Sequence, residues 1–255
     1  MTGLISTTLR CFKNALGLHA PEAPAPRLNL GCGHDYREGY VNIDLNSTHR
    51  VDLQSDVADL RAIADNSCTE VLAQDVLEHL GRHRSQTALR EWNRVLQSGG
   101  ALFLRVPSLL DLLSLLQHPD WQSYEQQKRL IQCLYGTQGY EGDFHLNGYT
   151  ETTLRQELAD AGFTITRLDV EDGWLFTVTA YKTRHAPPDP ILSTDSDQAF
   201  LEQAYLRLLG REPDASGLQH YLALLAQGID REAVLDTIAQ SEESRHRHAP
   251  EDKNA

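Results

Sequence analysis

Two glycines one residue apart, directly after a short apolar run, are the first chemistry-bearing feature of this chain: Leu28-Asn29-Leu30-Gly31-Cys32-Gly33. A strand that runs into such a loop lets backbone approach a ligand where a Cβ would collide. Acids follow at the ends of the next apolar runs. Asp44 closes Val41-Asn42-Ile43, where a carboxylate can accept both hydroxyls of a ribose diol. Asp56-Val57 closes Val51–Ser55, where a second acid can take the exocyclic amine of an adenine. Gln74-Asp75-Val76-Leu77-Glu78-His79 is a strand end turning into a helix. The series fits a nucleoside-bearing cofactor. A nicotinamide dinucleotide is disfavoured, because G-x-G-x-x-G fails at Tyr36 and Asp44 comes only eleven residues after Gly33, too close for a full helix between them.

The elements that must position these residues read as α/β, with short apolar runs alternating with helical periodicity. Expected strands are 28–30, 40–43, 70–73, 101–106, 163–170 and 174–182, the last two an antiparallel hairpin about Glu171-Asp172-Gly173. The sheet should therefore be mixed and mostly parallel, with helices on both faces. A helix over 85–97 carries Leu89, Trp92, Val95 and Leu96 on one side and ends at Gly99-Gly100. Thr150 is the expected N-cap of a helix bearing Leu154 and Leu158. The chain divides into an N-terminal helix with a Pro-rich spacer (1–26), an α/β domain (27–183), a linker (184–195), a small all-α domain (196–245) and a polar tail (246–255).

Composition narrows the function classes. With 36 acidic against 23 basic residues and a net charge of −13, the chain is unsuited to holding nucleic acid over a broad surface, which requires Lys/Arg against phosphates. The four cysteines include no C-x-x-C pair and the eleven histidines are dispersed, so neither a disulfide framework nor a metal site is expected. A reduced, cytoplasmic setting follows. Leu4, Ile5, Leu9, Phe12 and Leu16 can share one helical face beside Arg10 and Lys13. That face would give at most a weak membrane-surface contact, since two positive charges are a thin anchor.

The ordered motifs resemble those of the class I S-adenosylmethionine-dependent methyltransferases. Within that family the chain looks like the bacterial branch reading "LNLGCG…GYVNIDL…DVLEHL…RVL-x-x-GG…VP", over roughly residues 27–182. Ser98 departs from the Pro usual before the Gly-Gly. The resemblance implies a Rossmann-like fold and S-adenosyl-L-methionine as cofactor. It places Gly31 and Gly33 against the methionine and ribose portions, Asp44 on the ribose hydroxyls, Asp56 and Val57 around the adenine, and Gln74 and Asp75 at the methionine end. Asn29 and Cys32 complete the expected cofactor set, Cys32 as a packed thiol beside the loop.

Methyl transfer from a sulfonium needs positioning and exclusion of water, and a hydroxyl acceptor additionally needs a general base. Residues 108–150 are too long for a simple connection. They hold an apolar helical face at 109–116 and a Gly-rich aromatic loop, where similar methyltransferases place acceptor contacts. His145 is the expected general base or acceptor ligand, with Tyr135, Tyr140, Asp143 and His79 as acceptor-pocket residues.

The C-terminal pattern, with its core Leu209-Gly210-Arg211-Glu212-Pro213-Asp214-Ala215-Ser216-Gly217, resembles a small helical domain of unknown function common in bacterial glycan-related and cell-surface proteins. That company points to O-methylation of a glycan or other small hydroxyl-bearing acceptor, with a protein or glycan partner for the helical domain. The alternatives are a catalytically silent methyltransferase-like scaffold, or an enzyme acting on a lipid, metabolite or protein.

Overall fold

The computed structural model describes residues 25–244 apart from residues 141 and 240. The expected N-terminal helix, Cys11 and the tail histidines lie outside the described residues.

Seven strands form one sheet: β1 (Arg27–Leu30), β2 (Val41–Asp44), β3 (Leu53–Gln54), β4 (Cys68–Gln74), β5 (Leu96–Pro107), β6 (Phe163–Glu171) and β7 (Leu175–Lys182). Their order is β3-β2-β1-β4-β5-β7-β6. The first five run parallel, and β7 is antiparallel to both β5 and β6. The mixed sheet and the expected hairpin are both present. Between β1 and β4 the order reverses, since β2 and β3 lie to one side and β4 onward to the other. In an open α/β sheet that switch point opens a crevice beyond the carboxyl ends of the strands.

Alternation along the strands sends Leu28, Leu30, Val71, Ala73, Leu102, Leu104 and Val178 into one core. Helices α1 (Arg82–Val95) and α4 (Glu151–Asp160) close that core with Leu89, Trp92, Leu154 and Leu158. The Trp92 indole N–H donates to the Val57 carbonyl at 2.9 Å. As expected, Thr150 caps α4, its hydroxyl accepting the Thr153 N–H at 3.2 Å. On the opposite face Glu70, Leu72, Gln74, Phe103 and Arg105 line an open trough of about 460 Å³ walled by strands and loops. The polar members of each strand's alternation account for that face.

Two local expectations are corrected. Helix α1 ends at Val95, and the glycine pair lies inside β5. The register against β4 slips between Cys68 and Glu70, so residues 97–100 bulge outward, with Gly99 at φ +76°. The stop of α1 is fixed by Lys182, whose buried ammonium donates to the carbonyls of Asn93 and Leu96 at 2.7 Å each and to Asn66 at 2.8 Å. Second, the helical face expected at 109–116 is present as α2 (Leu109–Gln117), but the connection beyond it holds a further helix, α3 (Tyr124–Tyr135). The sequence signal for α3 is its Ser123–Gln126 capping box.

Three further helices, α5 (Asp197–Leu209), α6 (Ala215–Ala226) and α7 (Arg231–Ala239), share a second core built on Phe200, Leu201, Tyr205 and Val234. Gly210 ends α5 in the left-handed conformation, and Asp214 caps α6 by accepting the Gly217 N–H at 2.9 Å. At Gly217 a Cβ would collide with the Tyr205 hydroxyl, so a larger residue there requires that ring to move. Arg207 joins this module to the sheet domain by donating to Asp189 in the linker and to Thr87 on α1. No helix among the described residues is long and apolar enough to cross a membrane.

Candidate functional site

The carboxyl ends of β1, β2 and β4 meet at the switch point, and the loop after β1 is folded by its own polar groups. The buried amide of Asn29 donates to the Asp35 carbonyl at 2.7 Å and to Asn42 Oδ1 at 3.0 Å. Asn42 in turn donates to the Arg37 and Tyr40 carbonyls and to Asp52. Both amide hydrogens of Asn29 are thus engaged in shaping the loop. Gly31 and Gly33 hold φ of +58° and +50°. At Gly31 a Cβ would sit 2.7 Å from Val76 Cγ2, whereas at Gly33 it would meet nothing within 4 Å. The first glycine is required by close packing and the second leaves room for a ligand.

Asp44 at the end of β2 faces this space. Its Oδ2 accepts the Gly33 N–H and its Oδ1 the Asn46 N–H, each at 2.8 Å. His49 Nδ1 approaches Oδ1 at 3.4 Å, an ion-pair distance without hydrogen-bond geometry. A carboxylate has about four acceptor positions, so both oxygens retain capacity for a diol. Cys32 is buried beneath the loop, and burial together with the Asp44 charge pushes its thiol up to about 11. It is packing, not a nucleophile.

The other expected cofactor residues are more committed to protein partners. Asp56 pairs with Arg84 and accepts the Ala58 N–H at 2.9 Å, and Val57 is buried under Trp92. Gln74 Oε1 accepts from Arg37 at 2.9 Å on the trough face. Asp75 pairs with Arg105 and holds φ +57°, uncommon for a residue with a Cβ. Neither Arg84 nor Arg105 is marked as a partner by the sequence motifs.

Across the crevice, the chain from α3 to α4 folds over the turn Leu77–His79. The Glu78 carbonyl accepts the Leu146 N–H at 2.7 Å and the Asn147 N–H at 3.1 Å. His145 and His79 thereby meet edge to face with ring centroids 4.7 Å apart. His145 Nδ1 lies 2.9 Å from the Cys133 carbonyl and His79 Nδ1 lies 3.1 Å from the Gly142 carbonyl. A carbonyl can only accept, so both rings carry a proton on Nδ1, and Nε2 is the nitrogen that holds the lone pair in the neutral tautomer. Burial first, and the neighbouring His79 second, lower the pKa of His145 and so favour its neutral ring. Glu78 is buried and its Oε2 has no hydrogen-bond partner among the described residues. Desolvation first, and Asp75 second, push its carboxyl up to about 8. The three expected aromatic and acidic loop residues divide: Tyr135 and Tyr140 are exposed, while Asp143 turns inward to accept from Thr137 and Gly139. The sequence motifs single out His79 and His145 separately, and only the fold shows that they meet beside Glu78.

Residues 26–104 match the family model described as a methyltransferase domain, and residues 192–248 match one described as a domain of unknown function, DUF4214. No curated protein matches the chain. Solved structures overlap it in part. A protein from Listeria monocytogenes crystallised as a candidate S-adenosylmethionine dependent methyltransferase is 18% identical, at TM-score 0.46, over 68% of this chain and 98% of that one. A SAM-dependent methyltransferase from Methanosarcina mazei is 19% identical, at TM-score 0.43, over 62% and 92%. The 1,6-didemethyltoxoflavin-N1-methyltransferase of Burkholderia thailandensis, with S-adenosylhomocysteine bound, is 15% identical, at TM-score 0.41, over 69% and 76%. The strand order stands independently of these overlaps.

Proposed function

We propose that the chain is an S-adenosyl-L-methionine-dependent methyltransferase acting in the cytoplasm on a hydroxyl of a saccharide or other small molecule, in the service of bacterial surface-polysaccharide metabolism. The observation that supports it most is Asp44, which accepts the Gly33 N–H at the switch point with open space above that glycine. The match of residues 26–104 to a methyltransferase domain agrees with it. The glycan part rests on the company kept by domains like the C-terminal one, which is association alone.

The cofactor supplies a methyl group already activated on a sulfonium. Asp44 takes the ribose hydroxyls, Gly31 and Gly33 admit the backbone approach, and Asp75 and Gln74 border the methionine end. Asp56 and Val57 border the adenine. The acceptor lies on the Glu78–His79–His145 side, where Nε2 of His145 takes the hydroxyl proton as the oxygen attacks. Tyr135 at the end of α3 and Tyr140 on the loop after it, both exposed, flank the acceptor.

Calorimetry with S-adenosylmethionine and S-adenosylhomocysteine, wild type against Asp44→Ala, tests the cofactor half. Binding by wild type and weakening in the variant are expected, and a wild type that binds neither ligand rules the reading out. Transfer of isotope-labelled methyl into fractionated bacterial extract tests the acceptor half. Cofactor binding without transfer into any fraction would favour the scaffold alternative.

A further inference from the structure

The chain's dispersed histidines give no metal motif, yet the fold gathers three donors of metal-ligating type. Glu78, His79 and His145 each offer one ligand atom, and these atoms all lie within 4.8 Å of one another. We propose that Glu78, His79 and His145 form a binding site for a first-row divalent cation, with zinc the metal their two-nitrogen, one-oxygen donor set suits best.

Four features of the cluster support this assignment. The Nδ1 atoms of both histidines are anchored on backbone carbonyls, of Cys133 and Gly142, which fixes the tautomer that ligates through Nε2. Metal-binding histidines are oriented in this way by their outer partners. The buried Oε2 of Glu78 lacks a hydrogen-bond partner among the described residues, an arrangement that costs free energy unless another group completes it. A cavity of about 30 Å³ lies against two of the three donors, Glu78 and His145, but not against His79, with Leu112, Leu134 and Asn147 in its wall. That is room for one ion or one water. Finally, the two hydrogen bonds from Leu146 and Asn147 to the Glu78 carbonyl fix the turn and the loop against each other, so the donors are held from both sides. Ligand atoms around a tetrahedral zinc sit roughly 3.4 Å apart, so the side chains must close by somewhat over an ångström on binding.

Three protein ligands leave a coordination position for an exogenous oxygen. Resting on the methyltransferase reading above, that position would receive the acceptor hydroxyl. His145 then acts as a ligand in place of a base, the bound oxygen releases its proton to solvent at lower pH, and a lone pair of that oxygen takes the methyl as the carbon–sulfur bond breaks.

The test is cobalt titration of the full chain after chelator treatment, followed by absorption spectroscopy and zinc competition. One equivalent of cobalt giving ligand-field bands that zinc abolishes is expected. His145→Ala and Glu78→Gln should each weaken cobalt binding by at least about tenfold. Glu78→Gln keeps the volume of the side chain, and circular dichroism melting confirms that each variant is folded. A variant lacking His246 and His248 excludes binding by the tail, and its bands should persist. Absence of ligand-field bands in wild type overturns the proposal, as do bands that survive both His145→Ala and Glu78→Gln. S-adenosylmethionine calorimetry on the same samples separates a failed metal site from a failed cofactor site.

Discussion

The imidazole rings of His79 and His145 meet edge to face at 4.7 Å because the carbonyl of the intervening Glu78 turn receives the N–H groups of Leu146 and Asn147. A turn at the carboxyl end of β4 and a loop before α4 become one wall of the crevice opposite Asp44. Replacing His145 by Ala should leave S-adenosylmethionine affinity within about twofold while lowering transfer to the true acceptor by roughly a hundredfold. Turnover unchanged in the variant would remove His145 from the reaction.

Asp44→Ala removes the proposed acceptor of the ribose diol and also releases the N–H groups of Gly33 and Asn46. Loss of two hydrogen bonds to a charged group corresponds to about 3 kcal/mol, or roughly a hundredfold in affinity. Isothermal calorimetry reads this directly, and a variant that binds like wild type would place the ribose elsewhere.

Gly31→Ala combines a positive φ with a Cβ at 2.7 Å from Val76 Cγ2, so a loss of about 1–3 kcal/mol is expected. Adding Val76→Ala should recover the steric part but not the conformational part. Urea midpoints of the single and double variants separate the two contributions. A double variant no better than Gly31→Ala would mean that the dihedral alone sets the requirement.

Burial and the Asp44 charge hold the Cys32 thiol near 11. A raised thiol pKa suppresses the reactive thiolate, to about 0.1% at pH 8, with reactivity rising only as pH climbs toward the shifted value. Iodoacetamide labelling followed by peptide mass spectrometry should show Cys32 protected in the folded protein and labelled in urea. Rapid labelling of the folded chain at pH 8 contradicts a packing role.

The Lys182 ammonium donates all three of its hydrogens to protein acceptors at the end of α1. Lys182→Met leaves the Asn93 and Leu96 carbonyls and Asn66 without that donor, and should cost about 2–4 kcal/mol. The guanidinium chloride midpoint is the measurement. A neutral or stabilising outcome would show that the methionine packs well enough to offset the lost bonds.

Arg207→Ala breaks the contacts of the helical module to Asp189 and Thr87. The variant should be cut faster within residues 184–195 by limited proteolysis, and its calorimetric melting should separate into two transitions. Cleavage at the wild-type rate would locate the docking energy in other contacts.

Much of the fold was legible because period and punctuation are local. Thr150, Asp214, Asp230 and Gly210 mark their helix ends by side-chain hydrogen bonding or a left-handed backbone, and each does so in the structure. The stop of α1 was misread because Gly99-Gly100 looks like a helix terminator, while the true terminator is Lys182 from a distant strand. Alternation along β4, β5 and β7 identified strands but not what covers each face, and the trough on the Glu70–Gln74 side emerged only from the assembled sheet.

By itself the sequence determined the glycine loop, the acid at the end of β2 and the division into an α/β body and a helical module. Those features follow from backbone conformation and apolar periodicity, which depend on near neighbours along the chain. Only the tertiary structure decided that Glu78, His79 and His145 share one wall of the crevice, and that Asn29 is engaged within its loop. Such relationships are set by which segments the sheet order and backbone hydrogen bonds bring together, and spacing along the chain does not encode them.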